Sequence, residues 1–95
     1  MVTGKAWTDT EIKIICNIYA SMLIMEMEHL KFNKSAIRRA TLPKLDGRSA
    51  GSYEMKCCNI SAAMIDLGLP WIQGYKPLKG YQSALKPAML AVWKL

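Results

Sequence analysis

One stretch of the sequence, residues 47–68, decides the fold, and it reads GRSAGSYEMKCCNISAAMIDLG. Its start and its end together predict one helix over about residues 50–67. Ser49 is a good N-cap because its hydroxyl can accept a hydrogen bond from a free amide of the first turn. Gly68 can end the helix in the left-handed region, and Pro70 prevents its continuation.

The two sides of this predicted helix differ in character. Apolar side chains recur every three or four residues and therefore share one buried side, which comprises Tyr53, Cys57, Ile60, Met64 and Leu67. The other side carries Ser52, Lys56 and Asn59, with Arg48 just before the cap. The neighbouring residues are small, so this side can approach a nucleic-acid groove closely. The alternative is a bundle helix whose polar side faces water, and for this helix alone that is the commoner case.

Composition sets the class of protein. A chain of 95 residues with 52% hydrophobic residues is expected to form one folded domain over residues 1–95. Three cysteines, two of them adjacent, argue against disulfides and for a reducing, cytoplasmic setting. Because His29 is the one histidine, we expect no metal site and no cofactor. No apolar run approaches the roughly 20 residues that span a bilayer, so no membrane partner is expected.

The charge is distributed unevenly along the chain. Residues 1–30 hold two lysines against four acidic residues, whereas residues 31–95 hold eleven lysines and arginines against three acidic residues. Such asymmetry indicates an anionic partner, most commonly phosphate. The alternative is ordinary solubility, because a net charge of +6 is normal for a small domain.

The first helix is predicted over about residues 9–30. Thr8 is its N-cap, and Glu11 lies three residues on, where its carboxylate can return a hydrogen bond to the Thr8 amide. A second apolar stripe, formed by Ile14, Ile18 and Met25, needs a cover from either the C-terminal segment or another protein.

A second helix is predicted over about residues 34–42, with Asn33 as its N-cap and a basic side formed by Lys34, Arg38 and Arg39. The short connection to the next helix contains an Asp-Gly turn at residues 46–47, which is typical of a helix-turn-helix arrangement.

The C-terminal part contains a basic aromatic loop and a last helix. In the loop, residues 71–81, aromatic residues alternate with Lys76 and Lys79. This loop contacts phosphates and sugars in one interpretation, and in the other its aromatic residues fold back onto the core. The last helix is predicted over about residues 84–94 and is the natural cover for the first helix.

Two of these helices resemble those of Myb/SANT-like domains. That family opens its first helix with Trp-Thr-x-x-Glu, here residues 7–11, and its third with Gly-Arg-Ser, here residues 47–49. Its third helix enters the DNA major groove, so the resemblance implies Lys56 and Asn59 as base-reading residues. Cys57 stands where the family usually has Trp. The expected fold is an all-α, three-helix helix-turn-helix bundle with an additional C-terminal loop and helix.

A longer resemblance covers nearly the whole chain. The motifs around residues 33–39, 47–62, 67–70 and 74–82 are similar to those of a bacterial domain found at the N-termini of HNH-nuclease and restriction-like proteins. That family carries histidines where this chain has Ile37 and Cys57. The resemblance implies a bacterial, nucleoid-associated protein linked to restriction. One histidine cannot form a His-Asn-His cluster, so we expect no cleavage by this chain.

The leading hypothesis is a small DNA-binding module. Its phosphate contacts would come from Lys34, Arg38, Arg39, Arg48, Lys76 and Lys79, and its groove contacts from Ser52, Lys56 and Asn59. Duplex DNA is the expected partner, although the residues leave open a single-stranded or modified target.

The alternative hypothesis is a protein-interaction or assembly domain, such as a homodimer, that uses the apolar faces of the first and last helices. An enzyme is not expected, and no catalytic residue is assigned. Cys57 lies on the buried stripe, and no histidine is placed to activate the more exposed Cys58.

Overall fold

The structure, a computed structural model, describes residues 6–93. These residues form four α-helices and a short 3-10 turn at Leu42–Lys44, and they contain no strand. The helices are α1 (Asp9–Met27), α2 (Lys34–Thr41), α3 (Ala50–Asp66) and α4 (Leu85–Val92). The predicted all-α class is therefore confirmed. The predicted end of the last helix, at residue 94, lies outside the described residues.

The predicted N-caps are confirmed at the first three helices. The Thr8 hydroxyl accepts from the Glu11 amide at 3.2 Å, and the Glu11 carboxylate accepts from the Thr8 amide at 3.1 Å. The side chains of Asn33 and Ser49 accept from the amide three residues further on, at 2.9 Å and 3.0 Å respectively. Each helix therefore begins where its own local sequence provides a partner for a free amide.

Two helices end in the same way, with different residues at the decisive position. After α3, Gly68 adopts a φ of 71°, and the following amide donates to the Met64 carbonyl at 2.9 Å. After α1, His29 adopts a φ of 59°, and the following amide donates to the Met25 carbonyl at 2.9 Å. This left-handed residue ends α1 at Met27, three residues before the predicted end.

The core is shared by α1, α3 and α4, because α4 packs against both of the long helices. Its largest fully buried side chains include Tyr19, Tyr53, Ile60, Met64, Leu85 and Met89. The second apolar stripe of α1, formed by Ile14, Ile18 and Met25, is half-buried against this core.

The two helix ends provide a matched stability test. We expect His29→Gly to raise the free energy of unfolding by about 1 kcal/mol, because a left-handed conformation is strained for any residue with a Cβ. Gly68→Ala should lower it by about the same amount. A Cβ at Gly68 would meet nothing within 4 Å, so this loss would come from the backbone alone. Urea unfolding followed by circular dichroism measures both changes. A loss of stability in His29→Gly would contradict the assignment of strain.

Candidate nucleic-acid interface

Arg48 lies in a buried ion pair with Glu11. Its Nε donates to one carboxylate oxygen at 2.9 Å and a terminal nitrogen donates to the other at 2.8 Å, while the two side chains are 8% and 4% exposed. The same terminal nitrogen donates to the Ala6 carbonyl at 2.9 Å, and the guanidinium lies 4.8 Å from the centre of the Trp7 ring. The Arg48 side chain, which was predicted to contact phosphates, is therefore turned into the fold, where the guanidinium joins α1 to the start of α3.

The Glu11 carboxylate serves more than one partner. Besides Arg48, it accepts from the Asp46 amide at 2.9 Å and from the amide of its own N-cap, Thr8. The Arg48 hydrogen bonds are the largest cause that holds the pKa of Glu11 well below its usual range, and burial opposes them. Glu11 therefore stays ionised at neutral pH, as a partner of a buried arginine must.

Lys56 is also buried, with 7% of its surface exposed. Its ammonium donates to the Gln82 side-chain oxygen at 2.9 Å and lies 5.2 Å from the centre of the Trp7 ring. Burial, followed by the nearby charge of Arg48, lowers the pKa of Lys56. The prediction that this lysine lies on an open side of α3 is therefore corrected.

The polar side of α3 is covered by the chain that leads into α4. The Asn59 side-chain amide donates to the Leu78 carbonyl at 2.7 Å, and the Leu78 amide donates to the Cys58 carbonyl at 3.0 Å. One turn after Asn59, Ala62 and Ala63 are buried. The short side chains thus admit a segment of the same chain. Ser52, the remaining groove-contact candidate, is half-buried in the first turn of α3.

The other predicted cations lie on α2 and the loop after α3. We call this group the basic surface, and it consists of Lys34, Arg38, Arg39, Lys76 and Lys79. Lys34 joins its two parts, because its ammonium donates to the Gly74 carbonyl at 3.0 Å and lies 4.4 Å from the centre of the Tyr75 ring. Arg39, Lys76 and Lys79 are exposed.

Three carboxylates lie beside the basic surface, those of Glu54, Glu26 and Asp66, and Asp66 accepts from Tyr81 at the end of the loop. A terminal nitrogen of Arg38 lies 3.5 Å from a Glu54 oxygen, with the two side chains 25% and 44% exposed. Glu26 accepts from the Gln73 backbone amide, one residue before Gly74, at 3.1 Å. Five cations therefore outnumber three carboxylates in this region, and the local balance stays positive.

The loop of residues 71–81 folds back onto the core, in agreement with one of the two interpretations of its aromatic residues. Ile72 and Tyr75 are buried, and the Ile72 amide donates to the Tyr19 hydroxyl at 2.9 Å. The Tyr81 hydroxyl donates to the Asp66 carboxylate, and this hydrogen bond raises the pKa of Tyr81 to about 12. The loop thus presents its lysines outward while its rings pack inward.

The cysteines show no activated thiol. Burial raises the pKa of Cys57 to about 12, and burial also raises the pKa of the half-buried Cys58. Both therefore remain thiols at neutral pH. Among residues 6–93, no three histidine, cysteine or carboxylate side chains are grouped as metal ligands would be. Within the same range, no helix has the length and apolar character required to cross a bilayer.

The partners of Arg48 and Lys56 were not predicted from the sequence. One signal for the first was present: Glu11 lies one turn before Ile15, on the stripe of α1 that faces the core, and a buried carboxylate requires a partner. Lys56 likewise lies between Tyr53 and Ile60 in the helical repeat.

Comparison with protein-family models, with curated proteins and with solved structures gives no match to this chain.

The buried ion pair should dominate the acid sensitivity of the fold. Because the folded-state pKa of Glu11 is depressed, its stabilising contribution is present above the ordinary value of 4.5 and declines as the pH falls below it. Glu11→Gln should lower the free energy of unfolding at neutral pH by about 3 kcal/mol, because it leaves a buried arginine without its counter-charge.

Urea unfolding between about pH 7 and pH 3 measures both effects. Glu28→Gln is the matched control, since Glu28 is an exposed carboxylate just after the other end of α1. The variant at Glu11 should lose less stability on acidification than the parent chain. Parallel pH profiles for the parent and the Glu11 variant would contradict the role given to this pair.

Proposed function

We propose that this chain is a small DNA-binding module that attaches to phosphates through the basic surface. The observation that supports this most is the division of the cations into two groups. Arg48 and Lys56 are buried and hydrogen-bonded within the fold. Arg39, Lys76 and Lys79 are exposed, and Lys34 connects α2 to the loop that carries the two lysines.

Phosphate contact alone predicts a particular kind of binding. Each phosphate that a cation neutralises releases condensed counterions, so the affinity falls steeply with salt. Base-specific contact needs side chains that reach base edges, and two of the three candidates for this on α3 are occupied by Gln82 and Leu78. Binding should therefore be nearly independent of sequence, with dissociation constants of roughly 10⁻⁴–10⁻⁶ M at physiological salt.

The family resemblances support the same class of partner but imply a different use of α3. In Myb/SANT-like domains the third helix enters the major groove, whereas here residues 78–82 lie across the corresponding side. The resemblance to N-terminal domains of HNH-nuclease and restriction-like proteins suggests the setting. We therefore propose that the chain supplies DNA attachment in a bacterial nuclease or restriction system, with the helix-turn-helix arrangement as its framework.

A second candidate function, a protein-interaction domain, is favoured by an apolar groove. A cavity of about 310 Å³ lies between α1 and α4, with Ile12, Ala84, Ala88, Ala91 and Val92 among its lining residues. Leu90 on α4 is 56% exposed. Light scattering separates the two candidates: a stable oligomer that has no DNA affinity at low salt would favour assembly and contradict the proposed function.

The double substitution Lys76→Ala, Lys79→Ala tests the basic surface. We expect it to weaken binding to duplexes of any sequence alike. Because each lost phosphate contact lowers the salt slope by about 0.9, the slope of log K against log salt should become shallower by about 1.8. Fluorescence anisotropy titrations of a labelled duplex at several salt concentrations measure this change.

Two control variants distinguish the basic surface from charge in general and from readout by α3. Lys13→Ala removes an exposed cation of α1 beside the α1–α4 groove and should leave the salt slope unchanged. Lys56→Met keeps the apolar stem of a buried lysine and should leave sequence preference unchanged. A relaxed sequence preference in Lys56→Met, with native circular dichroism, would show base readout and contradict phosphate-only binding.

A further inference from the structure

The aromatic side chains bear on which nucleic acid the basic surface accepts. All eight of them lie within the described residues, and none is exposed. Four are buried, namely Trp7, Tyr19, Tyr53 and Tyr75. The other four pack half-buried against the core, namely Phe32, Trp71, Tyr81 and Trp93.

The two tyrosines of the basic aromatic loop are both engaged. Tyr75 is 1% exposed, and the Lys34 ammonium lies 4.4 Å from the centre of its ring. Tyr81 lies nearer the surface, but its hydroxyl donates to Asp66. A base stacked on Tyr81 would bring its own phosphate towards that carboxylate, which opposes binding.

The loop is also held in place at several points. The Gly74 carbonyl accepts from Lys34, while the Leu78 amide and carbonyl are bonded to Cys58 and Asn59 respectively. A loop fixed to both α2 and α3 presents its lysines at set positions. It cannot open around an unpaired base without breaking these hydrogen bonds.

These features favour one form of nucleic acid. Proteins that bind single strands stack bases on aromatic rings, and each stacked base adds about fivefold or more to the affinity. A surface whose aromatic rings pack against the core gains little from base stacking and depends mainly on phosphate density. Duplex DNA carries one charge per about 1.7 Å of its axis and releases more counterions per contact than a single strand does.

We propose that the basic surface selects duplex DNA over single strands because it offers phosphate contacts and no exposed aromatic ring for an unpaired base. This inference rests on the proposed function and adds the form of nucleic acid that is bound. Selection would then come from charge density, so a single strand of the same sequence would bind more weakly at low salt, and the difference would narrow as the salt concentration rises.

The test is a competition between a labelled duplex of about 20 base pairs and each of its separate strands, titrated with the full chain at several salt concentrations. We expect the duplex to bind several-fold more tightly at low salt, because its affinity rises more steeply than that of the single strands as salt is removed. The Tyr81→Leu and Tyr81→Phe variants probe one of the two half-buried rings of the loop, the other being Trp71, and both should bind the single strands as the parent does.

The outcomes distinguish this inference from the proposed function. Tighter binding of single strands, or a loss of about fivefold for single strands in Tyr81→Leu but not in Tyr81→Phe, would overturn the inference and leave DNA binding in place. Absence of binding to every probe at low salt would overturn the proposed function itself, and the inference with it.

Discussion

A single buried carboxylate, that of Glu11, fixes the two longest helices against each other. It accepts hydrogen bonds from the amide of Thr8, the N-cap of its own helix, from the Asp46 amide and twice from the Arg48 guanidinium. Removing an ion pair from water carries a large desolvation penalty, which only complete hydrogen bonding offsets. Here both carboxylate oxygens are used, and both are used by groups that belong to the turn into α3. These contacts therefore hold the start of α1 against the start of α3.

The same junction also determines how the C-terminal part of the chain returns. The Trp7 ring lies beside both Arg48 and Lys56. The backbone carbonyl of Trp7 accepts from the Gln82 side-chain amide at 3.4 Å. Gln82 accepts in turn from Lys56, so the segment before α4 is drawn across the polar side of α3. The small residues on that side of α3, such as Ala62, leave room for the segment before α4 to pack there. Short side chains on a helix allow another segment to pack closely against it, and here that segment belongs to the same chain.

The predictable features were those whose causes lie within a few residues. Thr8, Asn33 and Ser49 cap their helices as expected, and Gly68 ends α3, because each acts on the adjacent turn. His29 was not expected in the left-handed conformation, since its sequence gives no such signal. The pairing of Lys56 with Gln82 could not be predicted from the sequence, because the two residues are 26 positions apart. Its location depends on the path of the chain, which local patterns do not specify. The exposure of Arg39, Lys76 and Lys79 could be predicted from their residue type alone, because lysine and arginine are rarely buried.

The demands of the fold on its cations bear directly on the kind of binding proposed. Arginine is the residue best suited to fixed, two-pronged contact with a base edge, and Arg48 uses that geometry on a carboxylate of its own chain. The Arg38 guanidinium forms an ion pair with Glu54. Most of the other cations of the basic surface are lysines. A lysine ammonium is a point charge on a flexible stem, so it attracts phosphates but discriminates poorly between bases. Because Arg48 is used to hold α1 against α3, the cations that remain at the surface suit the proposed contact with nucleic-acid phosphates better than they suit the reading of bases.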